Sequence, residues 1–190
     1  MGNLLESATQ GVRKQSAPIN LLDDTGDIAF EEWEKRVRYV KLTHEDFDKI
    51  IELDPEDWIK IVLYRNEKGL ATTKLFKELF LFCQRTGQKW DWMPYIHGPY
   101  SDKVEKGLEK LETEKIVTTE TKISRDKRIY KLHEIKIKND AKALWEMLPE
   151  SFKEVIGDII KEFGDISYDD MIHYVYSAYP EFAVSAKKEF

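Results

Sequence analysis

The sequence predicts an α+β fold, mostly α-helical, in which a winged helix-turn-helix core carries extra helices at both ends. The first observation is a helical pattern over 102–112, directly after Gly98-Pro99-Tyr100-Ser101, where Ser101 is in position to cap the helix with its hydroxyl. The second is a pair of β-type runs, Ile116–Lys122 and Arg128–Leu132, joined by the polar turn Ser124–Lys127. Helix, strand, basic tip and strand is the order of a recognition helix and its wing.

The distribution of charge limits the classes of partner. The 190 residues are 42% hydrophobic, enough for a packed core, and the formal net charge of −6 argues against a general nucleic-acid binder. Residues 58–138 nevertheless have a net charge of +7, whereas 1–57 have −7 and 139–190 have −6. Either the basic middle third binds phosphates, or the acidic ends fold against it and neutralise it.

Local signals divide the chain into four parts. We expect a flexible tail over 1–27, a helical extension over 28–55, the winged-helix core over 56–138 and further helices over 139–190 that pack on the core. Asp54-Pro55 predicts a helix start with Pro at the first position, and Thr72 and Gly87 predict the start and end of the next, strongly apolar helix.

Weaker signals follow the wing. The alternation at Ile135 and Ile137 is out of phase with the preceding strand, which indicates a β-bulge near His133-Glu134 or a strand end. Asn139 and Ser167 are then expected to cap helices, with Asp170 in capping-box position after Ser167.

The connector over 88–99 is unusually apolar. Either it packs on the core, which we favour, or it forms a surface that binds a partner. The candidate partner-binding residues of this region are Trp90, Trp92, Tyr95 and Tyr100.

The candidate DNA-binding residues lie on the helix and on the wing. They are Ser101, Lys103, Lys106, Lys110, Lys122, Arg125, Lys127, Arg128 and Lys131. The helix alternates in sign, which is unfavourable next to phosphates, whereas the wing is almost purely basic. The alternative for the wing is a hairpin kept soluble by its edge lysines.

Residues that carry chemistry are sparse. There is no phosphate-binding glycine loop and no nucleophile motif, and Cys83, the only cysteine, lies in an apolar run that predicts an inert buried thiol. Asp169, Asp170 and His173 can share a helix face as metal ligands, but an ordinary capped first turn explains them better. We therefore expect no enzyme activity, cofactor or metal. No apolar stretch approaches a membrane span and no signal peptide is recognised, so a cytoplasmic protein is expected.

Three segments carry a resemblance to known families. Leu75–Leu81, Tyr95–Ser101 and the run from Leu108 to Val117 are similar to the YwgA-like proteins and to the Panacea domain of SocA-type antitoxins. The resemblance covers about 56–182. It implies a winged-helix fold and, for the antitoxin branch, toxin neutralisation or delivery of a partner to a protease. Lys77 matches the lysine of the family's helix, while Phe76 stands where Gln is common.

Two functional hypotheses follow. The first is a non-enzymatic regulator, of transcriptional or antitoxin type, that contacts DNA through the basic wing. The alternative is an adaptor or antitoxin that binds a protein partner, such as a toxin, without binding DNA. A homodimer is a further expectation.

Overall fold

The computed structural model describes residues 53–125 and 127–183, so the predicted tail and nearly all of the predicted N-terminal helical extension lie outside the described residues. Within those ranges the chain is α+β and mostly helical, as predicted. Its elements are α1 (Pro55–Arg65), β1 (Leu70–Ala71), α2 (Thr72–Thr86), α3 (Asp102–Thr113), β2 (Val117–Ile123), β3 (Ile129–Ile135), α4 (Lys138–Met147), α5 (Glu150–Phe163), α6 (Tyr168–Ala178) and a final 3₁₀ helix (Pro180–Phe182).

The three strands form one antiparallel sheet in the order β1-β3-β2. Pairing between β2 and β3 is continuous from Val117 opposite Ile135 to Ile123 opposite Ile129, so the predicted bulge is wrong. The alternative, a strand end, is confirmed, because β3 stops at Ile135. The pattern looked out of phase because the buried face of β3 carries a polar residue, His133, beside Ile135.

Helix α2 lies at the centre of the core. Its buried apolar side chains point in all directions, which a helix does only when it is covered on every side. Helices α1, α5 and α6 pack against it, and the aromatic rings of Trp58 and Phe82 lie 4.3 Å apart between α1 and α2. Both the connector and the hairpin of β2 and β3 contact this apolar centre.

Local signals placed several helix ends correctly. Asp54 Oδ1 accepts a hydrogen bond from the Asp57 backbone N–H at 3.0 Å, with Pro55 as the first helical residue. Gly87 ends α2 in the left-handed conformation, with φ of 76°. Ser167 caps α6 by accepting from the Asp170 N–H.

Three predicted caps are wrong. The Ser101 hydroxyl does not cap α3, because it donates to the carbonyl of Trp90 at 2.6 Å. Thr72 is already inside α2, and its hydroxyl is bonded to His133. Helix α4 begins at Lys138, one residue before Asn139. The two hydroxyls have partners from distant segments, which local sequence does not reveal.

Candidate functional site

The segment predicted to be the wing is a hairpin formed by β2, β3 and the turn between them, and we keep the name wing for this hairpin. The Ser124 N–H donates to the Arg128 carbonyl at 2.9 Å, and the Lys127 N–H donates to the Ser124 carbonyl at 3.0 Å. Lys127 adopts a left-handed φ of 66°, which closes the turn. Ile123 and Ile129 face each other next to this turn and are 70% and 73% exposed. The tip therefore projects beyond the core.

Acidic neighbours neutralise part of the wing. Arg128 donates to both carboxylate oxygens of Asp169 on α6, at 3.0 and 2.9 Å, and its guanidinium lies over the Tyr168 ring. Lys122 pairs with Glu120 on the same strand. The other three basic candidates of the wing form no ion pair with another described residue; these are Arg125, Lys127 and Lys131.

The predicted recognition helix, α3, offers a poor surface to phosphates. Lys103 pairs with Asp91 and Lys110 pairs with Glu56, each at 2.7 Å. Only Lys106 among its candidate lysines lacks an ion pair with a described residue. Ser101 is completely buried, so its side chain cannot reach DNA in this conformation. We therefore remove Ser101 from the candidate DNA-binding set.

The connector folds into a closed loop. Met93 and Tyr100 exchange two backbone hydrogen bonds, at 2.8 and 3.0 Å, and the Gly98 N–H donates to the Tyr95 carbonyl at 3.0 Å. The five residues of the loop's outer part, Met93 to His97, are all exposed and contain no carboxylate, lysine or arginine. We call this segment the connector tip. Its Tyr95 and Ile96 are 48% and 53% exposed.

One part of the connector packs on the core, whereas the connector tip is exposed. Trp90 is buried and Trp92 is half-buried, and their rings contact Phe82 and Phe80 of α2 with centroids 6.4 and 5.4 Å apart. Tyr100 stacks on Phe76 and donates its hydroxyl to Glu105. Because Trp90 is a core residue, we remove it from the candidate partner-binding set.

Sequence reasoning missed a polar network around His133. Its Nε2 lies 2.7 Å from the hydroxyl of Thr72, and its Nδ1 lies 2.8 Å from that of Thr119 and 3.2 Å from a carboxylate oxygen of Glu112. Burial lowers the pKa of His133. A neutral ring with both nitrogens bonded joins α2, α3 and the two strands of the wing. The sequence feature that could have indicated this network is His133 itself, a polar residue that interrupts the apolar alternation of β3.

A known protein family matches the part of the chain that contains both the connector and the wing. A model of the family described as antitoxin SocA-like, Panacea domain, matches residues 83–180, slightly more than half of the chain. The chain belongs to this Panacea-domain family. No match was found among curated proteins or among solved structures. The matched span contains the connector, α3 and the wing, and the family supports an antitoxin-type regulatory role.

The described residues of this Panacea domain were also compared with the requirements of a metal site, a reactive cysteine and a membrane-spanning helix. Within 53–125 and 127–183, no three His, Cys, Asp or Glu side chains are grouped so that they could hold a metal ion. Asp169 instead bonds Arg128, and Asp170 bonds the Ser167 hydroxyl. Cys83 is buried, and burial raises the pKa of its thiol to about 12, as expected of an inert cysteine. None of the described helices is long and apolar enough to span a membrane.

Proposed function

We propose that this Panacea-domain protein is a non-enzymatic antitoxin that binds a protein toxin through its connector tip. The observation that carries the proposal is the exposure of Tyr95 and Ile96 on a loop whose backbone is already hydrogen-bonded. Apolar side chains on a pre-ordered loop lose little entropy on binding, and aromatic residues are common among the side chains that dominate binding energy. The whole tip lies inside the span matched by the antitoxin family.

Growth rescue tests this proposal. Toxin candidates are the products of genes beside this one, each expressed alone and together with the wild-type protein. We expect wild type to restore growth and Tyr95→Ser/Ile96→Ser to fail, because losing two anchors costs about 2 kcal/mol or more of binding free energy. Met147→Ser is the matched control, since Met147 is as exposed as Ile96 but lies on α4.

Two results would contradict the proposal. One is rescue by the double variant equal to that of wild type. The other is the absence of rescue by wild type for every candidate toxin. Circular dichroism of the double variant establishes that it is folded, which we expect because both side chains are exposed.

DNA binding through the wing is the second candidate function. The order α1-β1-α2-α3-β2-β3, with the sheet order β1-β3-β2, supports a winged-helix core over 56–138 in which α3 takes the recognition position. Arg125, Lys127 and Lys131, which form no ion pair with another described residue, support phosphate contact at the wing. The closed connector between α2 and α3 replaces the turn of about 3–4 residues usual in helix-turn-helix proteins, which makes this candidate the weaker one.

A salt titration separates the two candidates. We expect wild type to bind random duplex DNA at about 50 mM salt, and the glutamine triple variant of Arg125, Lys127 and Lys131 to lose that binding. The matched control removes three exposed lysines elsewhere, as glutamine variants of Lys136, Lys138 and Lys142. No binding by wild type at about 50 mM salt, or equal losses in the two triple variants, would contradict a DNA role for the wing.

A further inference from the structure

Lys77 lies on the central helix α2, directly beneath the connector. The residue is 2% exposed, and its Nζ donates a hydrogen bond to the Pro99 carbonyl at 3.2 Å. No carboxylate of a described residue pairs with it. An ammonium group has three N–H donors, so a charged Lys77 would be poorly satisfied at this position, whereas an uncharged amine is compatible with one acceptor.

The contact depends on Gly98. A Cβ atom at this position would lie 2.6 Å from Lys77 Cε and 2.9 Å from Nζ, and Gly98 has a φ of 91°, which favours glycine. On the other side of the loop, the Tyr176 hydroxyl donates to the Ile96 carbonyl at 3.4 Å. Tyr176 thus attaches the connector tip to α6, and Lys77 attaches Gly98-Pro99, which directly follow the tip, to α2.

We propose that Lys77 is a positioning residue for the connector tip: its uncharged amine holds Gly98-Pro99 against α2, and protonation of that amine loosens the tip. The consequence of this contact for toxin binding rests on the proposed function. Because the amine is sealed under the loop, opening the loop is what brings it to water, where it takes up a proton readily.

The surrounding charges are compatible with this role. Burial lowers the pKa of Lys77 to about 7. Titratable groups on the elements packed around it include Tyr176 on α6, His97 and Tyr100 on the loop, Glu105 and Asp102 next to Tyr100, and Lys74 and Glu78 on α2 itself. The pKa values of Tyr176 and Tyr100 are raised, so both stay protonated near neutral pH. Glu78 titrates in the same range as Lys77 and needs a control.

The sign of the effect follows from linkage. Between the pKa of about 7 in the closed form and the ordinary value of 10.5, the open form holds a proton that the closed form lacks. Opening therefore becomes less favourable by about tenfold for each pH unit above 7. The closed tip should be held most firmly at alkaline pH.

Hydrogen exchange of the Gly98 amide, which is bonded to Tyr95, measures this opening directly. The intrinsic exchange rate of an amide rises about tenfold per pH unit, so the two trends cancel and the Gly98 rate should stay level between about pH 7.5 and about pH 9. In Lys77→Met, which has a side chain of similar length and no titration, it should rise about tenfold per pH unit. Every protein in this comparison, including the reference with Lys77 intact that we call wild type, carries His97→Gln, which removes the neighbouring imidazole.

Two controls keep the test decisive. Glu78→Gln should leave the level profile unchanged. In wild type, the Gly87 amide, bonded to Cys83 at the end of α2, should show the ordinary rise, which provides a reference if Lys77→Met does not fold. A Gly98 rate that rises with pH in wild type as it does at Gly87, or a level profile that persists in Lys77→Met, would overturn the proposal. No partner is needed, so this outcome is independent of the growth assay.

Discussion

Replacing Glu78 by glutamine removes a buried carboxylate that the fold accommodates poorly. Glu78 is 1% exposed, and its Oε2 accepts a hydrogen bond from the Asn66 amide at 3.0 Å. Its Oε1 is buried without a partner among the described residues. Burial raises the pKa of this carboxyl from 4.5 to about 7, although the Asn66 hydrogen bond and the charge of Lys74 act in the opposite direction.

The size of the effect follows from this shift. A group whose pKa is raised on folding stabilises the protein below its unfolded pKa, and that contribution is lost as the pH rises through the folded pKa. Each pH unit corresponds to about 1.4 kcal/mol, so the ionised side chain costs on the order of 3 kcal/mol above pH 7. Because glutamine does not ionise, Glu78→Gln should be about 2–3 kcal/mol more stable than wild type at about pH 8, and nearly equal to it at about pH 4.

Urea unfolding at several pH values measures this difference. For a chain of this length the gain at about pH 8 corresponds to roughly 5–10 °C in Tm. Glu154→Gln on the exposed face of α5 is the control, and we expect it to change stability by less than about 0.5 kcal/mol. A gain in Glu78→Gln that does not vary with pH, or a loss of stability at about pH 8, would refute the reasoning.

Two further predictions concern residues that link distant elements. Gly98→Ala should lower the free energy of unfolding by about 1–3 kcal/mol, because it adds a Cβ atom against Lys77 at a position with a positive φ. Urea unfolding measures the loss. Gly87→Ala is the control: its φ is also positive, but its Cβ meets nothing within 4 Å, so it reports the backbone strain without the clash. The lowered pKa of His133 stabilises the fold above the unfolded pKa and is a cost as the pH falls below it. Glu78 opposes this loss, because its raised pKa adds stability over the same interval, so the test is made in the Glu78→Gln background. There the protein should lose stability between about pH 7 and about pH 5, and adding His133→Gln should reduce that loss; parallel losses would show that another group is responsible.

The helix ends were predictable wherever the chemistry was local. Asp54, Pro55 and Gly87 act on backbone groups within one turn of themselves, so their roles follow from sequence spacing alone. Ser101 and Thr72 have the same cap-forming chemistry, yet their hydroxyls bond the Trp90 carbonyl and His133. A hydroxyl accepts or donates wherever the best partner lies, and spacing does not show a partner from another segment.

For the wing and the connector, too, the sequence predicted composition, whereas the fold decided which side chains are paired or buried. The basic residues of the wing and the apolar character of the connector could be read from the sequence. Which charges stay unpaired depended on acids brought in from elsewhere, such as Glu56 opposite Lys110 and Asp169 opposite Arg128. Likewise, Trp90 and Tyr95 lie five residues apart in one apolar segment, but one is in the core and the other is exposed.

The sequence by itself determined the α+β class, the hairpin that follows α3 and the resemblance to the antitoxin family, because these rest on periodicity, turn chemistry and motifs that are contiguous in the chain. Only the tertiary structure decided that Lys77 lies under Gly98, and that Glu78 is buried with one carboxylate oxygen that no described residue contacts by a hydrogen bond. Burial and the distance between remote segments set the pKa values and contacts of these two neighbours. Neither quantity exists until the chain has folded.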